Sequence, residues 1–285
     1  MLISFCAISI SAQKTDIKLN LKEGDSYLFK MAMNNVVNQD MMGMKVQVDQ
    51  NMTTETGFNV TGIAENGNYL VKQTYKRVVM DISTNGQKMH FDSDAEDAAE
   101  SPLSSIKKIV GVTLTYELSP KGDVSNVKGI DELLQDMAPA QAKMLSEIAD
   151  KDKLSNIFSY MPKEKVAPGD SYTKVVKLKE AMGIEVETKY TVESINAEKA
   201  SIKLHSDIEF NPDKPIEQNG MKMKMNGKGT QSGVYQVDLK TGMADSAKTE
   251  QDLDMTIRMK NPQTGKDMSI PMKMTSIIRF TVIKE

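Results

Sequence analysis

The chain has 285 residues, with 36 Lys and Arg against 39 Asp and Glu, so its formal net charge at pH 7 is −3. This balance, together with the lack of a dense basic run, argues against a nucleic-acid partner. The length suits one large domain or two small ones. The composition is unusual in having 22 methionines and no tryptophan.

The first twelve residues are predicted to be a secretory signal peptide. Residues 2–10 form a short apolar core, and Ser11 and Ala12 supply the small residues typical of a cleavage site. The run is too short to span a bilayer, and no other stretch comes close, so no transmembrane segment is expected. We therefore expect an exported protein in the periplasm or at the outer cell surface. The alternative interpretation of this run is a buried first strand.

The only cysteine, Cys6, lies within this apolar core. A lipoprotein signal requires a small residue directly before its cysteine, whereas Phe5 stands there. Because cleavage after Ala12 would remove Cys6, the mature chain is expected to have no disulfide and no thiolate metal site.

The tetrapeptide Gly-Asp-Ser-Tyr occurs twice, at 24–27 and at 169–172. In serine esterases of the GDSL type, such a block carries a nucleophile whose base is a histidine three residues after an aspartate. The hydroxyl is a poor nucleophile without that base. Neither His90 nor His205 has an aspartate at that spacing. We instead predict two tight turns with glycines at positive φ, and no enzyme.

Further features follow the two turns in the same order, which predicts two diverged β units. The stretch "TYELSPKGDV" (115–124) corresponds to "VYQVDLKTGM" (234–243), each a tyrosine-bearing strand, a Lys/Gly turn and a return strand. The alternative is the general similarity of strand–turn–strand proteins. The predicted organisation is a signal peptide (1–12), a first β unit (13–128), a helical connector or lid (129–165) and a second β unit (166–285).

Alternation of apolar and polar residues predicts long strands. Residues 42–60 alternate over so great a length that the strand must twist, bend at a bulge or wrap. Further signals are hairpin turns at Asn66–Gly67 and Asn85–Gly86, an acidic loop at 92–100, a short helix from Ser101–Pro102 to about Val110, helical periodicity at 130–160, and strands from 169 onward. The expected fold is mainly β (α+β), as two similar curved antiparallel sheets or one continuous half-barrel, with a helical insert at about 130–160.

Most methionines share the apolar parity of the predicted strands. Because methionine is flexible and polarizable, such a face suits an adaptable apolar binding surface. The sequence predicts a cavity between the sheet and the helical insert, lined by Met42, Met44, Met221, Met223, Met225, Met272 and Met274. One alternative is a packed core. Another is a Cu(I) or Ag(I) site, because "MKMKM" is similar to the Met-x-Met motifs of copper and silver carriers, although no histidine or cysteine lies nearby.

The combination of "EGDSY", methionine-rich strands, "FDSD" (91–94), "PGDSY" and "GTQSGVYQVDLKTGM" (229–243) resembles a domain-of-unknown-function family of exported Gram-negative bacterial proteins. That family has no established activity, so the resemblance implies no catalytic residues. Long curved strands with an inserted helical lid are also loosely similar to the half-barrels of periplasmic lipoprotein carriers, an analogy of fold alone.

Two functions from different classes are therefore expected. The first is an exported envelope protein that binds a lipid or another apolar or amphiphilic ligand without catalysis. The second is a structural or protein-interaction component of the cell envelope with a fully packed core. No cofactor is expected in either case, and the sequence does not predict an oligomeric state.

The first prediction concerns export. Cleavage after Ala12 is expected, because this small residue closes the apolar run. N-terminal sequencing of the secreted protein should therefore begin at Gln13. A mature form that retains Cys6 with attached lipid would contradict this interpretation.

Overall fold

The structure is a computed structural model that describes residues 14–41, 43–130, 146, 149–178, 184–210, 216–218, 221–260 and 265–285. The predicted signal peptide lies outside these ranges. Most of the predicted helical insert, residues 131–145 and 147–148, also lies outside them.

The described elements are mostly long strands. They are β1 (Ser26–Met41), β2 (Met44–Ile63), β3 (Tyr69–Thr84), β4 (Gln87–Asp92), β5 (Thr113–Leu118), β6 (Val124–Lys128), helix α1 (Lys151–Asn156), β7 (Ser171–Leu178), β8 (Ile184–Ile195), β9 (Lys199–Phe210), β10 (Ile216–Gln218), β11 (Met221–Asp238), β12 (Ala244–Lys260) and β13 (Asp267–Lys284).

In the described ranges, thirteen strands form one antiparallel sheet with the order β6-β5-β3-β2-β1-β13-β12-β11-β9-β8-β7. Strand β4 pairs with β3, and β10 pairs with β11. The expected mainly β antiparallel fold is confirmed. Because β1 pairs with β13 from Tyr27↔Lys284 to Gln39↔Met272, the two halves form one sheet and not two.

The long strands bury one face. Phe29, Phe58 and Val237 share this face and are almost completely buried, so we call it the inner face. The register of β2 against β3 shifts at Glu55/Thr56 and again at Val60/Gly62. Such irregularities are expected along so long a strand pair, because a bulge increases local twist.

The main core lies at one end of the sheet, which we call the base. There the N-terminal segment and the segment from α1 onward cover the inner face of the strands. The base contains Ile17, Leu19, Leu21, Tyr27, Phe29, Phe58, Val60, Leu114, Leu118, Leu154, Phe158, Tyr160, Tyr190, Val192, Ile202, Leu204 and Val237. Aromatic stacking fixes its centre, with the rings of Phe29 and Phe58 4.9 Å apart.

Besides α1, the described ranges contain 3-10 helices over Glu96–Ala99 and Ser104–Ile109. Asp150 begins α1 by accepting hydrogen bonds from the N–H groups of Asp152 and Lys153, at 2.9 and 3.1 Å. The short helix predicted from Ser101–Pro102 to about Val110 is a 3-10 helix over Ser104–Ile109. The Ser101 hydroxyl accepts from the N–H of Leu103 in the turn before that helix, so the predicted cap begins a turn.

The two Gly-Asp-Ser-Tyr turns have the same backbone hydrogen bonds. In each, the glycine N–H donates to a valine carbonyl on the strand that pairs with the one after the turn, and that valine N–H donates back to the aspartate carbonyl. In the first turn, the bonds from Gly24 to Val60 and from Val60 to Asp25 are both 2.9 Å long. In the second turn, the bond from Gly169 to Val192 is 2.8 Å and that from Val192 to Asp170 is 2.9 Å. Both glycines have positive φ, +86° and +93°, so the predicted turns are confirmed. A common origin of the two units stays a prediction.

The second prediction concerns the turn between β11 and β12. A Cβ at Gly242 would lie 2.0 Å from the Lys18 carbonyl oxygen, and the residue has φ +73°. Gly242→Ala is therefore expected to lower the free energy of unfolding by about 3 kcal/mol or more, since backbone strain and a collision add together. Gly67→Ala is the control, because Gly67 also has positive φ but open space around it. Equal losses for the two variants in urea unfolding would contradict the role of this contact.

Candidate functional site

The described methionines among the seven nominated from the sequence lie in different parts of the sheet. Met44 is 69% exposed at the turn between β1 and β2, far along the strands from the base. Met42 lies outside the described residues, and of Met221 only the strand position is described. Met223 is half-buried on β11 and pairs with Met259 of β12. The structure therefore separates Met44 from the other described members.

Three nominated methionines meet in a second apolar cluster on the inner face, beyond the base. We call this cluster the methionine strip. Its members are Val186, Ile208, Met225, Leu253, Met255, Met272 and Met274. Sequence reasoning placed Leu253 and Met255 on a strand but did not nominate them. Val186 and Ile208 were likewise recognised as strand residues, and only the register brings all seven together.

Glycines form the floor at the middle of the methionine strip. Gly229 pairs with Ile208 on one side and with Leu253 on the other. A Cβ at Gly229 would lie 2.1 Å from the Asp252 carbonyl oxygen. This position therefore accepts only glycine, and the inner face carries no side chain there between β9 and β12.

A row of polar side chains separates the strip from the base on the inner face. We call it the polar row, and it crosses β7, β8, β9, β11, β12, β13, β1 and β2 at Lys174, Thr188, Ser206, Gln231, Gln251, Ser276, Asn35 and Gln50. Two neighbouring pairs are hydrogen-bonded. The hydroxyls of Thr188 and Ser206 lie 2.8 Å apart, and the Ser276 hydroxyl donates to the Asn35 amide oxygen at 2.5 Å.

The side chains at the centre of the polar row and at its β7 end lack hydrogen-bond or ion-pair partners among the described residues. Gln231 and Gln251 face each other on β11 and β12 and are half-buried. Among the described residues, neither of their side-chain amides has a hydrogen-bond partner, and Lys174 has no ion-pair partner. Burial lowers the pKa of the Lys174 ammonium below its usual range. Sequence reasoning missed this row, because a polar residue on one strand does not show which residues of the other strands lie beside it.

The outer face of the same strands is charged. Asp252, Asp254, Lys228 and Lys273 are exposed there. A groove of about 590 Å³ is lined by 207–209, 228–230, 252–254 and 273–275. Because successive residues alternate between faces and two of each three point outward, this groove lies on the outer face. The strip and the charged groove are opposite faces of one part of the sheet.

The serines of the two turns have structural partners. The Ser26 hydroxyl lies 2.9 Å from both the Asn59 amide oxygen and the Glu285 carboxylate. The Ser171 hydroxyl lies 3.0 Å from that of Thr191.

The two histidines lie beside aspartates on the outer face. His90 Nδ1 is 2.7 Å from Asp81, and His205 Nε2 is 3.5 Å from Asp207.

In the described part of the chain, no group of three or more His, Cys, Asp or Glu residues is placed to hold a metal ion. No described helix is long and apolar enough to cross a membrane.

The chain belongs to DUF6263, a family of unknown function, whose model matches residues 66–244. The resemblance to such a family inferred from the motifs is thus confirmed. The match includes "FDSD", "PGDSY" and the 229–243 stretch. No curated protein matches the chain.

The chain is also similar to solved structures at low sequence identity. A structure titled "Lipid-protein interactions in lipovitellin" matches with a TM-score of 0.51 at 11% identity, over 93% of this chain and 25% of that chain. The chain thus spans a quarter of that protein. OprG from Pseudomonas aeruginosa matches with a TM-score of 0.27 at 6% identity, over 93% of this chain and 98% of that one. The COG4313 outer membrane channel from Pseudomonas putida F1 gives 0.26 at 8%, over 96% and 100%. Only the first similarity is close enough to indicate a shared fold.

The third prediction concerns Ser26. Ser26→Ala is expected to leave any esterase activity unchanged and to lower the free energy of unfolding by about 1 kcal/mol or less, the scale of one hydrogen bond. Hydrolysis of a p-nitrophenyl ester and urea unfolding measure the two quantities. Ser171→Ala is the matched control in the second turn. Loss of a robust activity in Ser26→Ala alone would contradict the structural role.

Proposed function

We propose that this protein is a non-catalytic binding protein for an apolar or amphiphilic ligand that lies on the methionine strip. The carrying observation is that the inner face holds a second apolar cluster, separate from the core at the base. Met225, Leu253, Met272 and Met274 are only partly buried in it. A contiguous, partly exposed apolar patch is typical of a binding surface.

The chemistry of the strip supports a ligand of variable shape. Methionine side chains have three rotatable bonds and a polarizable sulfur, so they adapt to different apolar partners. The shared fold with lipovitellin, whose structure is titled for its lipid–protein interactions, makes a lipid the ligand class that we propose. We also propose that the protein acts after export, in the periplasm or at the outer cell surface. The predicted cavity between the sheet and the helical insert at about 130–160 is also part of this proposal.

A structural component of the cell envelope is the second candidate. The aromatic packing of the base favours it, because Phe58 stacks on Phe29 and also approaches Phe158 to 6.3 Å. A protein of this kind would take up no apolar probe. Soft-metal binding is the third candidate, and a Cu(I) titration of wild type and Met225→Leu tests it directly.

The fourth prediction tests the strip. Met274→Asp is expected to weaken binding of a fluorescent fatty-acid probe about tenfold or more, because a carboxylate would enter the apolar contact. Probe fluorescence measures the affinity, and circular dichroism checks the fold. Met274→Leu should retain binding, since its side chain stays apolar and similar in size.

Met44→Asp is the control for position, because Met44 is exposed at the hairpin tip away from the strip. It should bind the probe as the wild type does. The proposal is wrong if the wild type binds no probe, or if Met44→Asp loses as much affinity as Met274→Asp.

A further inference from the structure

The polar row crosses the inner face at one level, between the strip and the base. Thr188 lies between Val186 of the strip and Tyr190 of the base, and Ser206 lies between Ile208 and Leu204 in the same way. Polar groups on a buried face are unfavourable unless they form hydrogen bonds. The Thr188–Ser206 and Ser276–Asn35 pairs of the row are hydrogen-bonded, whereas the central glutamines have no such partner among the described residues.

The central amides are sterically accessible from the inner side. On β11, the inner-face positions between Met225 and Tyr235 are Gly227, Gly229, Gln231 and Gly233. Gln231 is therefore the single side chain along this stretch of the strand. Its neighbour Gln251 is paired with it on β12. Two carboxamides side by side provide both donors and acceptors to one bound group.

Lys174 adds a positive charge at the β7 end of the row. It is half-buried, and its cross-strand neighbour is Thr188. Lysine side chains are rarely buried unless they are paired. The charges that act on it most are those of Asp123, which favours its charged form, and of Lys163 and Lys121, which oppose it. Lys121 is paired with Asp16 at 2.7 Å. Lys174 and Lys163 therefore remain against Asp123, and this net positive charge is complementary to an anion.

We propose that the polar row binds the head group of an anionic acyl lipid. The acyl chain lies on the methionine strip, the amides of Gln231 and Gln251 donate to its ester carbonyl, and Lys174 pairs with its phosphate. Lys174 and Gln231 are three strand spacings apart, about 14 Å along the sheet, so the head group lies between the two side chains and contacts both ends of that gap. This inference rests on the proposed function, because it names the ligand of the same surface.

The experiment compares three probes on the full protein. Diphenylhexatriene is apolar throughout, a monoacylglycerol adds a neutral ester, and a lysophosphatidic acid with the same acyl chain adds the phosphate. Both lipids are used below their critical micelle concentrations. Affinities are measured by fluorescence for the first probe and by its displacement for the lipids.

The variants separate the two parts of the row. The double variant Gln231→Leu, Gln251→Leu is expected to lower the affinity for both lipids about tenfold, since the hydrogen bonds to the ester are lost. Its affinity for diphenylhexatriene should be unchanged or higher, because that probe forms no hydrogen bonds. Lys174→Met should lower the affinity for lysophosphatidic acid about tenfold and change the affinity for the monoacylglycerol by no more than about twofold. Gln236→Leu and Lys228→Met on the outer face of β11 are the controls.

The outcomes distinguish this inference from the proposed function. If the wild type binds none of the three probes, the proposed function itself fails. If it binds all three and the double glutamine variant keeps both lipid affinities, the polar row is not the head-group site although the strip binds ligand. If Lys174→Met lowers the affinity for both lipids equally, the assignment of the phosphate to Lys174 is wrong.

Discussion

The pairing of β1 with β13 is the constraint on which the rest of the structure depends. It joins strands from the two ends of the chain, so that both halves share one inner face. It also fixes where each side chain stands, because a slip of one residue would turn every apolar side chain of β13 to the outer face. In the observed register, Asn35 meets Ser276 and Val37 meets Met274. The polar row therefore continues across the joint from one half to the other, whereas the methionine strip ends at β13, beside Val37 of β1.

A single sheet layer buries one face only where something covers it. At the base, the N-terminal segment and the segment after α1 provide that cover, and Tyr160 ties them to the sheet through the carbonyl of Gly242, at 2.9 Å. Further along the strands, the inner face is less buried and methionine replaces the aromatic residues. The change in composition follows the change in packing, because a rigid ring fills a fixed space whereas a thioether fills an irregular one.

Alternation in the sequence predicted the long strands and their apolar faces, since side-chain direction in a strand has a period of two. It did not predict position along the sheet. Met44 and Met274 share the inner-facing parity expected of them, yet one stands exposed at a hairpin tip and the other packs in the strip. The polar row was beyond sequence reasoning for the same reason, because a lone Gln251 or Ser276 looks like an ordinary exception until strand pairing aligns it with others. Turn chemistry was more local and therefore easier, as Gly24 and Gly169 show.

The glycines on the inner face of β11 have a mechanical consequence. Side chains resist bending of a sheet toward the face on which they stand, and Gly227, Gly229 and Gly233 remove that resistance along one line. The sheet should therefore behave as two stiffer panels joined by a compliant seam. Changes in its curvature would concentrate at this seam and leave the hydrogen-bonded registers of the panels intact. The span of the inner face could then be adjusted by elastic deformation of the backbone, without repacking the base.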